Sequence, residues 1–280
     1  MNIHIHYIFI DSNNKDGNEN ENENFKKIKD LHSRHYSKSS YKNVSVNYYS
    51  YNDIMKLLLK FDKTLYNIAI NINIKYPALI ADIGRFIILY YYGGVYLDLK
   101  FIITEKFINF INNEITDVDF IAEEHPWLNY LRLGCISSFK LNDKFIKNIL
   151  GKIKESLYYC FMNNLSGSTE MYRIVNLNYN NIFNEYSNSK IIKKNYTNLK
   201  FIINNREKVN KKLVRWQDTN YKIINIDFDY KLYLKNNSEL KDHLTCNKYW
   251  NEGFLKSKDL KFKLCFHYIN YGIKEGRNIK

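Results

Sequence analysis

Apolar residues recur along the chain at two spacings, which predict strands and helices. Strands are predicted at 3–10, 43–50, 94–98, 117–124 and 133–139, where apolar residues alternate with polar ones or form short runs. Between several of these strands, apolar residues recur every three or four positions, as they do on one face of a helix. Alternation of strands and helices is typical of the α/β class, so we predict an α/β fold with a mainly parallel sheet.

The clearest predicted helix spans 77–92. Pro77 suits the first position of a helix, and Gly93 suits the position just past its end. Further helices are predicted from Phe25, over 51–61 and from Asn142. In parallel sheets, ligands bind beyond the carboxyl ends of the strands, and Asp98 is expected at such an end.

The composition supports a packed protein. The chain has 280 residues, of which 45% are hydrophobic, and it contains 25 Tyr and 17 Phe. This is enough apolar surface for one domain with a small appendage, and it excludes a disordered chain.

The net charge of +13 raises the alternative of a basic nucleic-acid-binding protein. The lysines are scattered, however, and no run of five or six basic residues occurs, which favours a solvated basic surface.

The cysteines and the apolar runs indicate a cellular compartment. The four cysteines lie far apart without C-x-x-C spacing, which predicts buried free thiols in a reducing compartment. No apolar run reaches the roughly eighteen residues of a membrane span, and the N-terminus lacks signal-peptide features. We therefore expect a soluble, cytoplasmic protein.

Charged residues cluster around the predicted helix and the strand that follows it. Asp82 and Arg85 lie three apart, hence on one helix face, where they could simply form an exposed ion pair of little energetic worth. The glycine pair Gly93 and Gly94 permits a sharp turn, and Asp98 then follows the strand. A carboxylate in that place can accept hydrogen bonds from sugar hydroxyls or bind a cation.

The stretch ALIADIGRFIILYYYGGVYLDLKF resembles the signature of the DXD-type sugar transferases, a group that includes the yeast α-1,6-mannosyltransferase of outer-chain mannan and, more distantly, the large clostridial glucosylating toxins. The resemblance covers about the first two-thirds of the chain. It implies a GT-A fold and a retaining glycosyltransferase that moves a hexose from a UDP- or GDP-linked donor to a glycan or other hydroxyl acceptor.

The same resemblance implies roles for individual residues. Asp82 and Arg85 would hold the donor sugar, next to Gly93 and Gly94, and Asp98 would bind ribose or sugar hydroxyls. Two aromatic residues would contact the nucleoside, Phe9 by stacking on the base and Tyr96 by lining its pocket. A buried strand residue is the alternative interpretation of Phe9.

The chain departs from the family pattern where Asp-x-Asp would place its second acidic residue, which here is Lys100. In the family this acidic residue ligates Mn²⁺ or Mg²⁺, and a charged lysine cannot do so. We therefore predict Asp98 and Lys100 as catalytic residues, with Lys100, helped by Arg215 of LVRWQD, neutralising the leaving diphosphate. Two alternatives stay open: Asp98 alone still holds the metal, or the chain is a non-catalytic sugar-binding member.

Two later stretches complete the comparison with the family. EEHPW, with His125, and SGSTEMY, with Gly167 and Thr169, would form acceptor-side loops, although the family's usual proline is missing from the second. Residues 227–280 resemble a small helical module at the ends of giant-virus and some bacterial glycosyltransferases. We therefore predict a GT-A domain at 1–226 and a C-terminal helical module at 227–280.

Overall fold

The computed structural model describes residues 2–10, 23–72, 77–114, 120–124, 131–162, 178–179, 191–194, 202–204, 229–246, 260–272, 275 and 277. Its strands are β1 (Ile3–Ile8), β2 (Val44–Tyr49), β3 (Gly94–Leu97), β4 (Phe101–Ile103), β5 (Phe120–Glu124), β6 (Leu131–Ser138), β7 (Ile191–Lys194) and β8 (Ile202–Asn204). Six of them form a central sheet in the order β2-β1-β3-β6-β5-β7, and β4 pairs with β8.

Helices alternate with these strands, which confirms the predicted α/β class. They are α1 (Glu23–Tyr36), α2 (Tyr51–Phe61), α3 (Lys63–Ile72), α4 (Pro77–Tyr92), α5 (Glu105–Glu114), α6 (Lys144–Met162), α7 (Tyr230–Asn236), α8 (Leu240–Cys246) and α9 (Leu260–His267). The predicted helix at 77–92 is confirmed at both ends. Before α2, Ser50 forms a capping box with Asp53, and before α6 the carboxylate of Asp143 accepts a hydrogen bond from the backbone N–H of Phe145.

The central sheet is mainly parallel, as predicted, because five of its six described strands run in one direction and β6 alone runs the other way. β1 runs parallel to β2 and β3, whereas β6 runs antiparallel to both β3 and β5. The sequence signal of a strand does not contain its direction, which depends on the neighbour it pairs with. The parallel part has the expected consequence, because the carboxyl ends of β1, β2 and β3 share one sheet edge.

Two hydrophobic clusters cover the two faces of the sheet. Along β3, Tyr96 belongs to the cluster formed with α2, α3, α4 and α6, whereas Val95 and Leu97 belong to the cluster formed with α1 and α5. This period of two also places Asp98 on the face covered by α4. Cys135 is buried on β6 with a free thiol, as predicted for the cysteines.

The C-terminal helices add to the cluster on the α4 face. Tyr233, Leu240, Leu244 and Leu264 are buried there together with residues of α3 and α6. Within the described part of the chain, no helix combines the length and apolarity needed to cross a membrane.

Candidate active site

The turn between α4 and β3 brings the predicted donor residues together. Gly93 and Gly94 have φ values of 61° and 85°, which L side chains rarely adopt, so two glycines allow the helix to reverse directly into the strand. Because α4 and β3 then run in opposite directions, residues well before the turn meet residues just after β3. Arg85 Nη1 accordingly lies 3.9 Å from Asp98 Oδ1.

Arg85 is the buried centre of this group. Its guanidinium donates to Asp82 Oδ1 and to the carbonyl oxygen of Leu133, and it lies 4.8 Å from the centre of the Tyr96 ring. The Arg85 side chain is only 7% exposed and that of Asp82 21% exposed. The alternative of an exposed ion pair is therefore wrong, and the sequence could not exclude it because an i,i+3 spacing is the same on a buried and on a solvated helix face.

The Asp98 carboxylate lies at the sheet edge near Arg85, Tyr96 and Lys100. Its Oδ1 accepts a hydrogen bond of 3.2 Å from the Tyr96 hydroxyl, and its Oδ2 lies 3.6 Å from Lys100 Nζ. The backbone N–H of Asp98 donates to the carbonyl of Gly134 on β6 at 2.8 Å. The side chain of Asp98 remains 32% exposed, so its carboxylate is accessible to a ligand.

A short turn after Asp98 places the Lys100 ammonium group beside the Asp98 carboxylate. The N–H of Phe101 donates to the Asp98 carbonyl at 2.8 Å, and His32 Nε2 donates to the Leu99 carbonyl at 3.0 Å. Lys100 Nζ also lies 4.8 Å from the centre of the Phe101 ring, and its side chain is 39% exposed. Lys100 therefore faces both Asp98 and solvent.

Asp82, Arg85, Tyr96 and Asp98 line a cavity of about 350 Å³ at the carboxyl ends of the parallel strands, whereas Lys100 is not part of its lining. Its walls are Ile8, Ala78, Ala81, Asp82, Arg85, Tyr96, Asp98 and Leu99. A larger cavity of about 520 Å³ beside β2 is lined by Lys29, Lys56 and Tyr92 among others, but by none of the predicted site residues. The smaller cavity is therefore the candidate active site.

Burial and the charge of Arg85 act in opposite directions on the pKa of Asp82. Burial has the larger effect and raises this pKa to about 6. Asp82 is paired with Arg85, whose positive charge favours the ionised form of the carboxyl group. A polar group that is both buried and charged is common in functional sites.

The described residues do not form a divalent-cation site of the kind that Asp-x-Asp provides. The two oxygens of Asp98 face a guanidinium and an ammonium group, at 3.9 Å and 3.6 Å. No group of three or more His, Cys, Asp and Glu side chains that could hold a metal ion occurs in the described ranges. Two positively charged side chains, Arg85 and Lys100, therefore flank the carboxylate of Asp98.

The structure does not bring every predicted residue to the cavity. Gly93 and Gly94 lie at the other end of β3 from Asp98, about 13 Å away along the strand, so they shape the turn without lining the cavity. A Cβ on Gly94 would lie 2.3 Å from the carbonyl oxygen of His4. Phe9 stacks on Phe25 with ring centres 4.0 Å apart, and the cavity lining does not include it.

Four predicted residues lie outside the described part of the chain. They are the acceptor-side residues His125, Gly167 and Thr169 and the diphosphate-binding residue Arg215.

Sequence reasoning missed the contribution of β5 and β6. Between Ala122 and Glu123 the β5–β6 register shifts, so that Ala122 pairs with Ile136 but Glu123 pairs with Arg132. The intervening part of β6 supplies the two carbonyls that bind Arg85 and Asp98. The one available signal was an acidic residue, Glu123, at the end of an apolar strand.

Comparison with known proteins adds three findings. Residues 16–118 match a protein family described as "Glycosyltransferase sugar-binding region containing DXD motif". No curated protein matches the chain. Among solved structures the chain is similar to "PaToxG Glycosyltransferase", with 17% sequence identity and a TM-score of 0.43 over 66% of this chain and 69% of that chain.

Proposed function

We propose that this protein transfers a hexose from a nucleotide-sugar donor to a glycan or other hydroxyl acceptor, because residues 16–118 match the DXD-type glycosyltransferase sugar-binding region. The observation that carries the proposal is the meeting of Asp82, Arg85 and Asp98 on the wall of one cavity. The mixed α/β sheet supports the GT-A-type fold that the sequence resemblance implies.

The chemistry of the cavity suits a sugar. The carboxylates of Asp82 and Asp98 accept hydrogen bonds from hydroxyl groups, and Arg85 donates to sugar or phosphate oxygens. The volume of about 350 Å³ lies at the small end of the range for ligand sites, about 300–1,000 Å³. We assign the donor hexose to this cavity.

In the proposed reaction the configuration at the anomeric carbon is retained. The bond between this carbon and the donor phosphate oxygen breaks, and the acceptor oxygen bonds to the carbon on the same face. The leaving diphosphate takes the acceptor proton. Lys100, next to Asp98 and open to solvent, neutralises the negative charge that develops on the diphosphate.

A thermal-shift panel of UDP- and GDP-linked sugars tests the donor assignment. A donor that binds the folded state raises the melting temperature of the wild type, since binding shifts unfolding by mass action. Asp82→Asn keeps the size of the side chain but removes its charge, and we expect it to lose both this shift and sugar transfer. If no nucleotide sugar shifts the wild type, the proposed function is wrong.

A chelator test addresses Lys100. Transfer or donor hydrolysis is measured in excess EDTA, with and without added Mn²⁺, for wild type, Lys100→Ala and the exposed α5 control Lys106→Ala. We expect wild type and Lys106→Ala to stay active in EDTA. Lys100→Ala should lose its activity. Activity that vanishes with EDTA and returns with Mn²⁺ would contradict the role of Lys100.

A further inference from the structure

Glu123 and Arg132 face each other across β5 and β6 and have no part in the cavity described above. Glu123 is only 1% exposed, and neither of its carboxylate oxygens accepts a hydrogen bond from the described residues. Its contact with Arg132 is an ion pair of 3.5 Å between Oε1 and Nη1. A buried carboxylate without hydrogen bonds is costly, and such an arrangement requires a reason beyond packing.

Arg132 adjoins the part of β6 that contacts the cavity residues Arg85 and Asp98. A Cβ built on Gly134 would lie 3.0 Å from Asp98 Oδ2, so the Asp98 carboxylate covers that face of β6. Arg132 lies two positions earlier on the same strand, and between them the Leu133 carbonyl accepts a hydrogen bond from Arg85. Arg132 is therefore next to the strand segment that bonds Arg85 and Asp98.

Electrostatics connect this pair with the catalytic lysine. Burial raises the pKa of Glu123 to about 7, Arg132 and Lys100 oppose this rise, and Asp98 adds to it. The four charged groups are thus within electrostatic reach of one another. The two cations are the accessible members, with the side chain of Arg132 33% exposed and that of Lys100 39% exposed.

We propose that Arg132 is a second diphosphate-binding residue, which acts with Lys100. In this proposal the carboxylate of Glu123 holds the guanidinium of Arg132 in position. The inference rests on the proposed nucleotide-sugar function. A guanidinium presents N–H donors in a planar fork that matches two phosphate oxygens, which a lysine cannot do. Two cations of different geometry would then hold the diphosphate while its bond to the sugar breaks.

A purely structural pairing of Glu123 and Arg132 is the competing explanation. Under it, Arg132 does nothing except compensate the buried carboxylate, so removing both charges together should leave ligand binding intact. Under our proposal, the double variant loses diphosphate binding even though it folds without a buried charge. The variant Arg132→Gln/Glu123→Gln therefore separates the two explanations and also avoids the bare carboxylate that could unfold Arg132→Gln.

The experiment is isothermal titration calorimetry of wild type, Arg132→Gln, the double variant and the control Arg34→Gln. Arg34 is an exposed arginine on α1 that bonds the Asp30 carbonyl of its own helix, so this control changes the net charge equally. The probes are UDP and GDP, with uridine and guanosine as ligands that lack the diphosphate.

We expect both Arg132 variants to bind the preferred nucleoside diphosphate about 10- to 100-fold more weakly, as the loss of charge-assisted hydrogen bonds predicts. Their nucleoside affinity should equal that of wild type, and Arg34→Gln should match wild type for every probe. Wild-type diphosphate affinity in the double variant, or equal weakening for nucleoside and diphosphate, would overturn the inference alone. Absence of diphosphate binding by the wild type would instead overturn the proposed function, on which the inference depends.

Discussion

Arg85 is the residue on which the other candidate residues converge. It bonds Asp82 and the Leu133 carbonyl, covers Tyr96 and approaches Asp98. The guanidinium therefore supports both the shape of the cavity and its charge balance. Substitutions at Arg85 report on stability and donor binding together, whereas Asp82→Asn keeps the shape of the side chain and is the better probe of donor binding.

Removal of the Arg85 side chain should destabilise the protein strongly. Arg85→Ala leaves the partly buried carboxylate of Asp82 without its partner, and we expect a loss of about 3 kcal/mol, at the low end of the range for breaking a buried ion pair. Urea denaturation at pH 7 measures this loss. The exposed Arg34→Ala should stay within about 0.5 kcal/mol of wild type. Similar small losses for the two variants would show that the Asp82–Arg85 pair is not buried in solution.

Glu123 gives a second prediction at this scale, in which pH is the variable. The folded pKa of about 7 lies above the ordinary value of 4.5, so between these pH values the folded protein holds a proton that the unfolded chain releases. The wild type therefore loses stability as pH rises through this window. Glu123→Gln has no such proton, so its stability relative to wild type should increase by about 3 kcal/mol between pH 4.5 and pH 8.

Urea unfolding at the two pH values measures this change. The control Glu155→Gln, on the surface of α6, should differ from wild type by less than about 0.5 kcal/mol at either pH. A constant difference between Glu123→Gln and wild type would contradict the raised pKa.

At the scale of elements, the antiparallel pairing of β3 with β6 positions Asp98. The Gly134 carbonyl accepts the N–H of Asp98, and the absence of a side chain at Gly134 leaves room for the carboxylate. This strand therefore works with α4 and β3 although it lies later in the chain.

Gly134→Ala tests this arrangement. The added Cβ would lie 3.0 Å from Asp98 Oδ2 and 3.1 Å from Phe101 Cε2, so the carboxylate must move. We expect kcat/KM for transfer or donor hydrolysis to fall about 100-fold, as displacement of a reacting group by about 1 Å does. In the control Gly151→Ala, the Cβ meets no atom within 4 Å and sits in α6, so activity should persist with a gain of about 1 kcal/mol. Full activity of Gly134→Ala would show that catalysis does not depend on the position of the Asp98 carboxylate.

The elements also show what the sequence could predict. The limits of α4 follow from Pro77 and Gly93, which act locally, and the helix was predicted at both ends. The direction of β6 and its register shift depend on β3 and β5, which no local pattern encodes. The Asp82–Arg85 and Asp98 part of the candidate site was therefore predictable, because one short segment contains it. The pair formed by Glu123 and Arg132 was not, because only the register brings the two residues together.

At the scale of the whole molecule, the C-terminal helices and the sheet share one hydrophobic cluster. Leu264 of α9 is fully buried in it, together with residues of α4 and α6. Leu264→Ala should therefore cost about 2–5 kcal/mol and lower the melting temperature of the protein in a single transition. Leu59 is 48% exposed, so the control Leu59→Ala should lower the free energy of unfolding much less.

Nucleotide-sugar affinity should be unchanged in Leu264→Ala below its melting temperature, because none of the cavity-lining residues lies in the C-terminal helices. Two separate melting transitions would show instead that the C-terminal helices unfold independently of the sheet.

The turn at Gly93 and Gly94 has a consequence for the order of folding. Because α4 and β3 are adjacent in the chain, Arg85 and Asp98 can meet through the closure of one short loop, which is fast and costs little entropy. The contact between Arg85 and Leu133 spans 48 residues and must await the arrival of β6. We therefore expect substitutions in the turn to slow folding and substitutions of buried β6 side chains mainly to speed unfolding. The part of the cavity formed by α4 and β3 would then be assembled in the transition state, before β6 has docked.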